Sequence, residues 1–358
     1  DQIKIESAKA FTGIKLKAPK KTSVGKAAIF SALSQMSKHM KASEAIKLSL
    51  KMNQKDGFDC PGCAWPAPDD ERSKLGEYCE NGIKAIAEER SKKTISADFF
   101  AKHSVEELSR LSDFELGKSG RLTEPMVLRE GATHYDPIDW DSAFKMIAEE
   151  LNDLNSPNEA IFYTSGRTSN EAAYLYQLFA RAYGTNNLPD CSNMCHESSG
   201  VGLSETLGIG KGSVTLQDIH QAEVLMIMGQ NPGTNHPRML AAVEKCKENG
   251  GQVITVNPLP EAGLMRYTDP QSPKKMLTNG IQITDLFLPV RINGDVAFLK
   301  ALIYDLVQMD FDNNGQFIDY EFIEEYTEGY EAFVTEIKQI DYMPCLKQFG
   351  LAKKDIRE

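Results

Sequence analysis

The chain has 358 residues, of which 41% are hydrophobic and 25% charged. That is room for roughly two or three domains of ~100–200 residues; it excludes a disordered polypeptide and, with no apolar run of ~18 residues, a bilayer-spanning one. The net charge of −11 conceals a basic start, because residues 1–55 hold twelve lysines and three acids and so carry +9 against −20 for the remainder.

In chain order, residues 1–56 form a basic segment with one amphipathic helix, running from Ala27 to Met40. Phe11 and Phe30 are its only aromatic residues. The lysines therefore lack the stacking platform of a nucleic-acid surface and read as a solvated face. The start has neither the charged–apolar–small pattern of a secretory signal nor a twin-arginine pair. A cytoplasmic location is expected, with no nucleic acid and no membrane as partner.

Residues 57–138 read as a small loop-rich domain holding Cys60-Pro61-Gly62-Cys63, Cys79 and a helix from Ile83 to Lys92. From Trp140 the texture changes. Residues 139–190 open an α/β domain with an amphipathic helix (Ser142–Leu154), a short apolar strand (Ala160–Thr164) and a helix (Asn170–Tyr183). Residues 191–358 continue as an α/β domain with strands at Val224–Met228, Gln252–Val256 and Asp285–Val290 and helices at Arg238–Glu248 and Asp295–Met309. Short apolar strands alternating with helices predict an α/β fold of parallel sheets with flanking helices.

In such sheets ligands bind where the strands end, and two loops fit. Gly229-Gln230-Asn231-Pro232-Gly233-Thr234-Asn235-His236-Pro237 leaves a strand and enters a helix, and Asn257-Pro258-Leu259 ends the next strand. Neither matches the dinucleotide glycine fingerprint or the phosphate loop. On their own they allow a nucleotide-like ligand or ordinary turn chemistry. Seven cysteines, an odd number on a long chain, argue for metal or catalytic use rather than a disulfide framework. A C-x2-C pair serves iron–sulfur, zinc and dithiol sites alike, and all three remain open. Asp310-Phe311-Asp312-Asn313-Asn314-Gly315 through Glu321 has the spacing of a calcium loop, but Ile318 stands where a polar residue usually carries a water, and there is no second loop. No tight calcium site is expected.

Gly57-Phe58-Asp59-Cys60-Pro61-Gly62-Cys63-Ala64-Trp65-Pro66 and Asn186-Asn187-Leu188-Pro189-Asp190-Cys191-Ser192-Asn193-Met194-Cys195-His196-Glu197 resemble the molybdopterin oxidoreductases of the formate dehydrogenase alpha-subunit type. Thr164 through Glu171 and Gly229 through Pro237 extend the likeness, which covers roughly residues 57–310. The resemblance implies a dinucleotide-binding-like fold with a small iron–sulfur domain, corresponding to the N-terminal half of the family. The last domain is then expected to be truncated, with the C-terminal remainder as a partner. It also implies bis(molybdopterin guanine dinucleotide) molybdenum and a [4Fe-4S] cluster as cofactors. Cys195 is then the protein ligand of molybdenum, a soft thiolate on a high-valent metal. His196 beside it handles the substrate proton.

Cys60, Cys63 and Cys79 resemble the family's cluster ligands. A cubane usually takes four thiolates, and where relatives have another cysteine this chain runs Ala64-Trp65-Pro66-Ala67. A non-thiolate such as Asp69 or Asp70 would complete the set, or the cluster is altered or absent. By the same resemblance Gly229, Asn231, Thr234 and His236 line the cofactor phosphates or pterin, Arg167 and Asn170 bind the cofactor, Asn257 faces a ribose and Asp295 contacts guanine. Asn257 departs from the acid that many relatives carry there. The expected activity is two-electron oxidation of a small substrate, formate first, with electrons leaving through the cluster to a redox partner. The alternative is a metal-free or zinc-stabilised regulatory module that keeps the fold.

Overall fold

The computed structural model describes residues 20–357 except 64, 67–71, 74, 75, 166, 167 and 190, and for 191–194 the backbone alone. Its principal elements in chain order are strand β1 (Ser23–Val24), helices α1 (Gly25–His39), α2 (Ala42–Ser49), α3 (Glu80–Glu89), α4 (Trp140–Asn152), α5 (Asn170–Tyr183) and α6 (Cys191–Leu207), strand β2 (Val224–Met228), helix α7 (Met239–Glu248), strands β3 (Gln252–Val256), β4 (Arg266–Thr268), β5 (Ile281–Gln282) and β6 (Leu286–Leu288), and helices α8 (Asp295–Asp312) and α9 (Tyr342–Phe349). The chain divides into two compact units. The described part of the first comprises residues 35–46 and 84–214, and that of the second residues 20–34, 47–83 and 215–357. The second unit thus gathers the cysteine-bearing segment together with the strands β2 to β6.

The core of the second unit is a three-stranded parallel sheet in the order β6-β3-β2. Its middle strand, Gln252-Val253-Ile254-Thr255-Val256, is a β-branched run with little backbone freedom to lose in an extended, doubly covered position. Val253 and Val256, an odd number of residues apart, point to opposite faces. Val253 joins Ile227, Leu240 and Val243 on the α7 side, and Val256 joins Leu288, Phe298, Ala301 and Phe349 on the α8 and α9 side. Phe298 and Phe349 meet edge to face with centroids 5.8 Å apart.

The register places Met228 and Leu288 beside Val256, so all three strands end on one line. The loops that follow them share that edge. Gly229 turns the chain away there at φ 61°, a left-handed conformation that favours glycine, while its amide donates to the Val256 carbonyl at 3.1 Å. A smaller sheet pairs β1 with β4 in parallel and β4 with β5 antiparallel.

In the first unit the predicted helices at α4 and α5 form with local support. Asp139 accepts from the Ser142 amide at 2.7 Å, Ser169 accepts from the Ala172 amide at 3.3 Å, and Gly184 closes α5 at φ 113°. The strand predicted at Ala160–Thr164 is not formed. The segment alternates as a half-buried strand does, with Ala160 and Phe162 packed on Ala180 and with Ile161 and Tyr163 exposed. What it lacks is a ladder: Phe162 donates to the Asn187 carbonyl at 2.9 Å, and the Asn187 side chain, rather than a second backbone, reaches the Ala160 carbonyl at 3.2 Å. Alternation sets which side chains are buried, but a strand also needs a partner strand in register. Among the described residues no helix is long and apolar enough to cross a membrane.

Candidate functional site

Asn53 organises the cysteine segment. It is buried and sits at φ 56°, where asparagine is tolerated better than most residues. Its amide nitrogen donates to the Glu77 carbonyl at 2.6 Å and its oxygen accepts from the Cys60 amide at 2.9 Å. One side chain thereby ties the start of the C-x2-C turn to the strand of chain that leads into Cys79.

Cys60, Cys63 and Cys79 line a single cavity of about 300 Å³. The Gly62 amide donates to Cys60 Sγ at 3.3 Å and the Gly82 amide, in the first turn of α3, to Cys79 Sγ at 3.4 Å. Amide donors of this kind stabilise negative sulfur and tune the potential of a thiolate-held group. Burial pushes the Cys79 thiol up and the Gly82 amide opposes it, so without a metal this thiol stays protonated at neutral pH. Among the described residues no three His, Cys, Asp or Glu side chains converge tightly enough to hold one ion. A tetrahedral zinc site needs that convergence; a cubane, which takes one protein ligand per iron, does not. The donor set, three thiols on one cavity, fits an iron–sulfur cluster in chemistry, short of one thiol. Cys246 cannot supply it, being buried with its thiol on the Ala222 carbonyl at 3.2 Å, and neither can Cys345, which packs against the α8 core.

A larger cavity, about 960 Å³, adjoins the first and shares Trp65, Pro66, Cys79, Asn81, Pro237 and Arg238 with it. Its wall includes Asn231, Gly233 and Thr234 from the loop after β2 and Glu261 to Gly263 from the segment after β3. Those two loops touch backbone to backbone: a Cβ added to Gly233 would stand 2.6 Å from the Gly263 Cα. Asn231 donates to the Glu261 carboxylate, and its own Oδ1 is buried without a hydrogen-bond partner. A buried unpaired acceptor is costly, so a ligand donor is the natural complement for it. Asn81 donates to the Thr234 carbonyl at 2.8 Å, and the rings of His236 and Trp65 meet edge to face at 6.5 Å. The Arg238–Glu77 ion pair, 2.8 Å and nearly buried, fixes the wall common to both cavities.

Asn257 and Asp295 are not among the residues lining these cavities. Asn257 is buried with both ends of its amide taken, donating to the Gln230 carbonyl at 3.3 Å and accepting from the Leu259 amide at 3.0 Å. It shapes the loop after β2. Asp295 is exposed in the first turn of α8, and Asn170 is exposed in the first turn of α5. Arg167, Asp69, Asp70 and the first nineteen residues of the basic segment lie outside the described residues. Cys195 and His196 are both exposed on α6, in the first unit, with Sγ and Nε2 4.0 Å apart, the outer limit of a sulfur hydrogen bond. Sequence reasoning missed Asn53, Glu77, Gly82, Arg238 and Glu261. Only Asn53 left a trace, because Asn53-Gln54-Lys55-Asp56-Gly57 is turn-rich.

The acidic loop after α8 is closed on itself. Asp310, 1% exposed, accepts from the Phe317 and Ile318 amides at 2.8 and 2.9 Å and from the Tyr320 hydroxyl. Its oxygens are turned to internal donors rather than to a cation. Calorimetric titration with calcium is therefore expected to show no tight binding, and micromolar affinity abolished by Glu321→Ala would overturn this. The Tyr320 hydroxyl, then the two amides, hold the Asp310 carboxyl below its usual range. The stability it contributes is present above the ordinary carboxylate range and is lost as pH falls through the lowered value.

Fold and site together define an α/β protein with a nucleotide-sized cavity at its strand ends and a thiol-lined cavity beside it. Residues 121–271 match the molybdopterin oxidoreductase family model, which makes this part of the chain a domain of that family. It is 50% identical over 332 residues to an uncharacterized oxidoreductase of Mycobacterium tuberculosis, covering 93% of this chain and 42% of the relative. It is 28% identical over 288 residues to the F420-dependent formate dehydrogenase 1 subunit alpha of Methanococcus maripaludis, covering 78% of this chain and 39% of that one. Acetylene hydratase from Pelobacter acetylenicus superposes over 63% of this chain and 28% of its own at a TM-score of 0.48, with 19% identity. The chain thus spans less than half the length of the curated relatives it matches.

Proposed function

We propose that this chain provides the cluster site and part of the cofactor site of a molybdenum-dependent, formate dehydrogenase-like oxidoreductase. The observation that carries the proposal is the pair of adjoining cavities, one lined by three thiols and the other walled by the loop after β2, in a chain with a molybdopterin oxidoreductase domain. The likeness to a formate dehydrogenase subunit supports formate as the substrate. When bound, bis(molybdopterin guanine dinucleotide) molybdenum supplies a two-electron couple and a [4Fe-4S] cluster a one-electron relay to a separate redox partner.

The chain's own residues then divide the work. Cys195 gives molybdenum a soft anionic ligand. His196 would take the proton released when formate is oxidised to carbon dioxide, a task for an imidazole. Asn231 Oδ1 accepts a hydrogen bond from the cofactor and Thr234 offers its hydroxyl to the phosphates, with His236 on the same loop, while Gly229, its amide held by the Val256 carbonyl, turns that loop into place. Arg167, Asn170 and Asp295 are assigned to the remaining cofactor contacts, and Asn257 acts by holding the loop after β2 in shape. Cys60, Cys63 and Cys79 hold the cluster, and the shared wall at Cys79, Trp65 and Asn81 keeps the relay within reach of the cofactor cavity.

The test is metal analysis and formate-dependent dye reduction on the complete, anaerobically purified protein. Molybdenum or tungsten with iron and dye reduction are expected. Zinc alone, with no iron after reconstitution, would instead establish the zinc-stabilised module, and absence of every metal the regulatory one.

A further inference from the structure

We propose that Asp59 is the fourth protein ligand of the cluster, so that the thiol cavity holds a cubane with one carboxylate-bound, removable iron. This rests on the iron–sulfur reading above. The starting observation is a count: three thiols line the cavity where a cubane has four irons. Cys246 and Cys345 are committed to packing elsewhere in the same unit.

Asp59 is the residue before Cys60, and it is the single acid among the residues lining the cavity. Among the described residues no hydrogen bond or ion pair occupies its carboxylate, and it is exposed rather than folded into the core. The amides on the same wall, Asn53, Asn81 and Asn235, offer only neutral oxygens, weaker ligands for iron than a carboxylate. Asn53 uses its nitrogen on the Glu77 carbonyl and its oxygen on the Cys60 amide, while Asn81 donates to the Thr234 carbonyl. Among the described residues Asp59 is thus the one unengaged anionic donor lining the cavity of the three thiols.

The chemistry of that donor sets the behaviour of the site. A carboxylate is a harder ligand than a thiolate and binds iron in a sulfide cage less firmly. The iron it holds is the one that leaves first, and its removal opens a position to solvent or to a small anion. One-electron oxidation by ferricyanide then converts the [4Fe-4S]2+ cubane to [3Fe-4S]+ and frees that iron as the ferrous ion. The other three irons stay on Cys60, Cys63 and Cys79.

The experiment compares the complete wild-type protein with Asp59→Ala and Asp59→Cys after anaerobic iron–sulfide reconstitution. Iron content and low-temperature electron paramagnetic resonance are read before and after ferricyanide. Because Asp59 is exposed, neither variant disturbs the core. Asp59→Ala is expected to hold about a quarter less iron than wild type and to show the three-iron signal without oxidant. Wild type should show it only after ferricyanide, and Asp59→Cys should resist conversion. Identical iron content and spectra in wild type and Asp59→Ala would overturn the assignment while leaving the cluster in place. A wild-type protein that takes up no iron at all would remove the iron–sulfur reading, and this assignment with it.

Discussion

Cys195→Ser is expected to abolish formate-dependent dye reduction in the complete enzyme while leaving the folded chain intact. The side chain is exposed on α6 and carries no core packing, so a change of sulfur to oxygen should shift stability by less than about 0.5 kcal/mol. Its proposed role depends on a soft thiolate, which a serine hydroxyl cannot provide near neutral pH. Unchanged circular dichroism and melting with no turnover is the expected pair of results. Wild-type turnover in the purified variant would remove Cys195 from the mechanism. His196→Ala separates the neighbouring role. It should slow turnover ~10²–10⁴-fold and flatten the pH–rate profile, as loss of a positioned acid or base does. A slower enzyme with the wild-type pH profile would leave His196 a structural residue.

Gly82→Ala is expected to empty the cluster site without replacing any thiol. By helix propensity alone the change should help, since glycine inside a helix is less favourable than alanine by about 0.8–1.0 kcal/mol. The local contact runs the other way. An added Cβ would stand 2.7 Å from Cys60 Sγ and 3.5 Å from Met52 Sδ, and Met52 is fully buried and cannot retreat. Cys60 must therefore swing into or away from the cavity, moving one thiolate off its iron and disturbing the Asn53 bond to its amide. The expected result is a chain that folds and melts near wild type but loses most of its iron and its broad visible absorbance after reconstitution. A variant with wild-type iron and spectrum would show that the cavity does not constrain the cluster as proposed.

Much of the fold was legible from local pattern. The short apolar runs at Val224–Met228 and Gln252–Val256 became strands with the predicted bounds, and Asn170–Tyr183 became a helix with the predicted bounds. Serine before α5 and glycine after it act through neighbours a few residues away, so sequence spacing is enough to read them. The family, too, was carried by contiguous motifs around Cys60 and Cys195.

The tertiary structure decided what depends on residues far apart in the chain. Ala160–Thr164 has the alternation of a strand, but among the described residues no second strand pairs with it, and no local pattern records that. Asn257 follows a strand as a ligand-binding residue would, yet its amide is taken by Gln230 and Leu259, which only folding brings beside it. The C-x2-C spacing pointed first to iron–sulfur and left zinc and free thiols open beside it. Only folding brings Cys79 and Asp59 to the same cavity, with the Asn53 tie and the Gly82 contact, because ligand geometry is a property of distances in space and spacing along the chain records only the order of the donors.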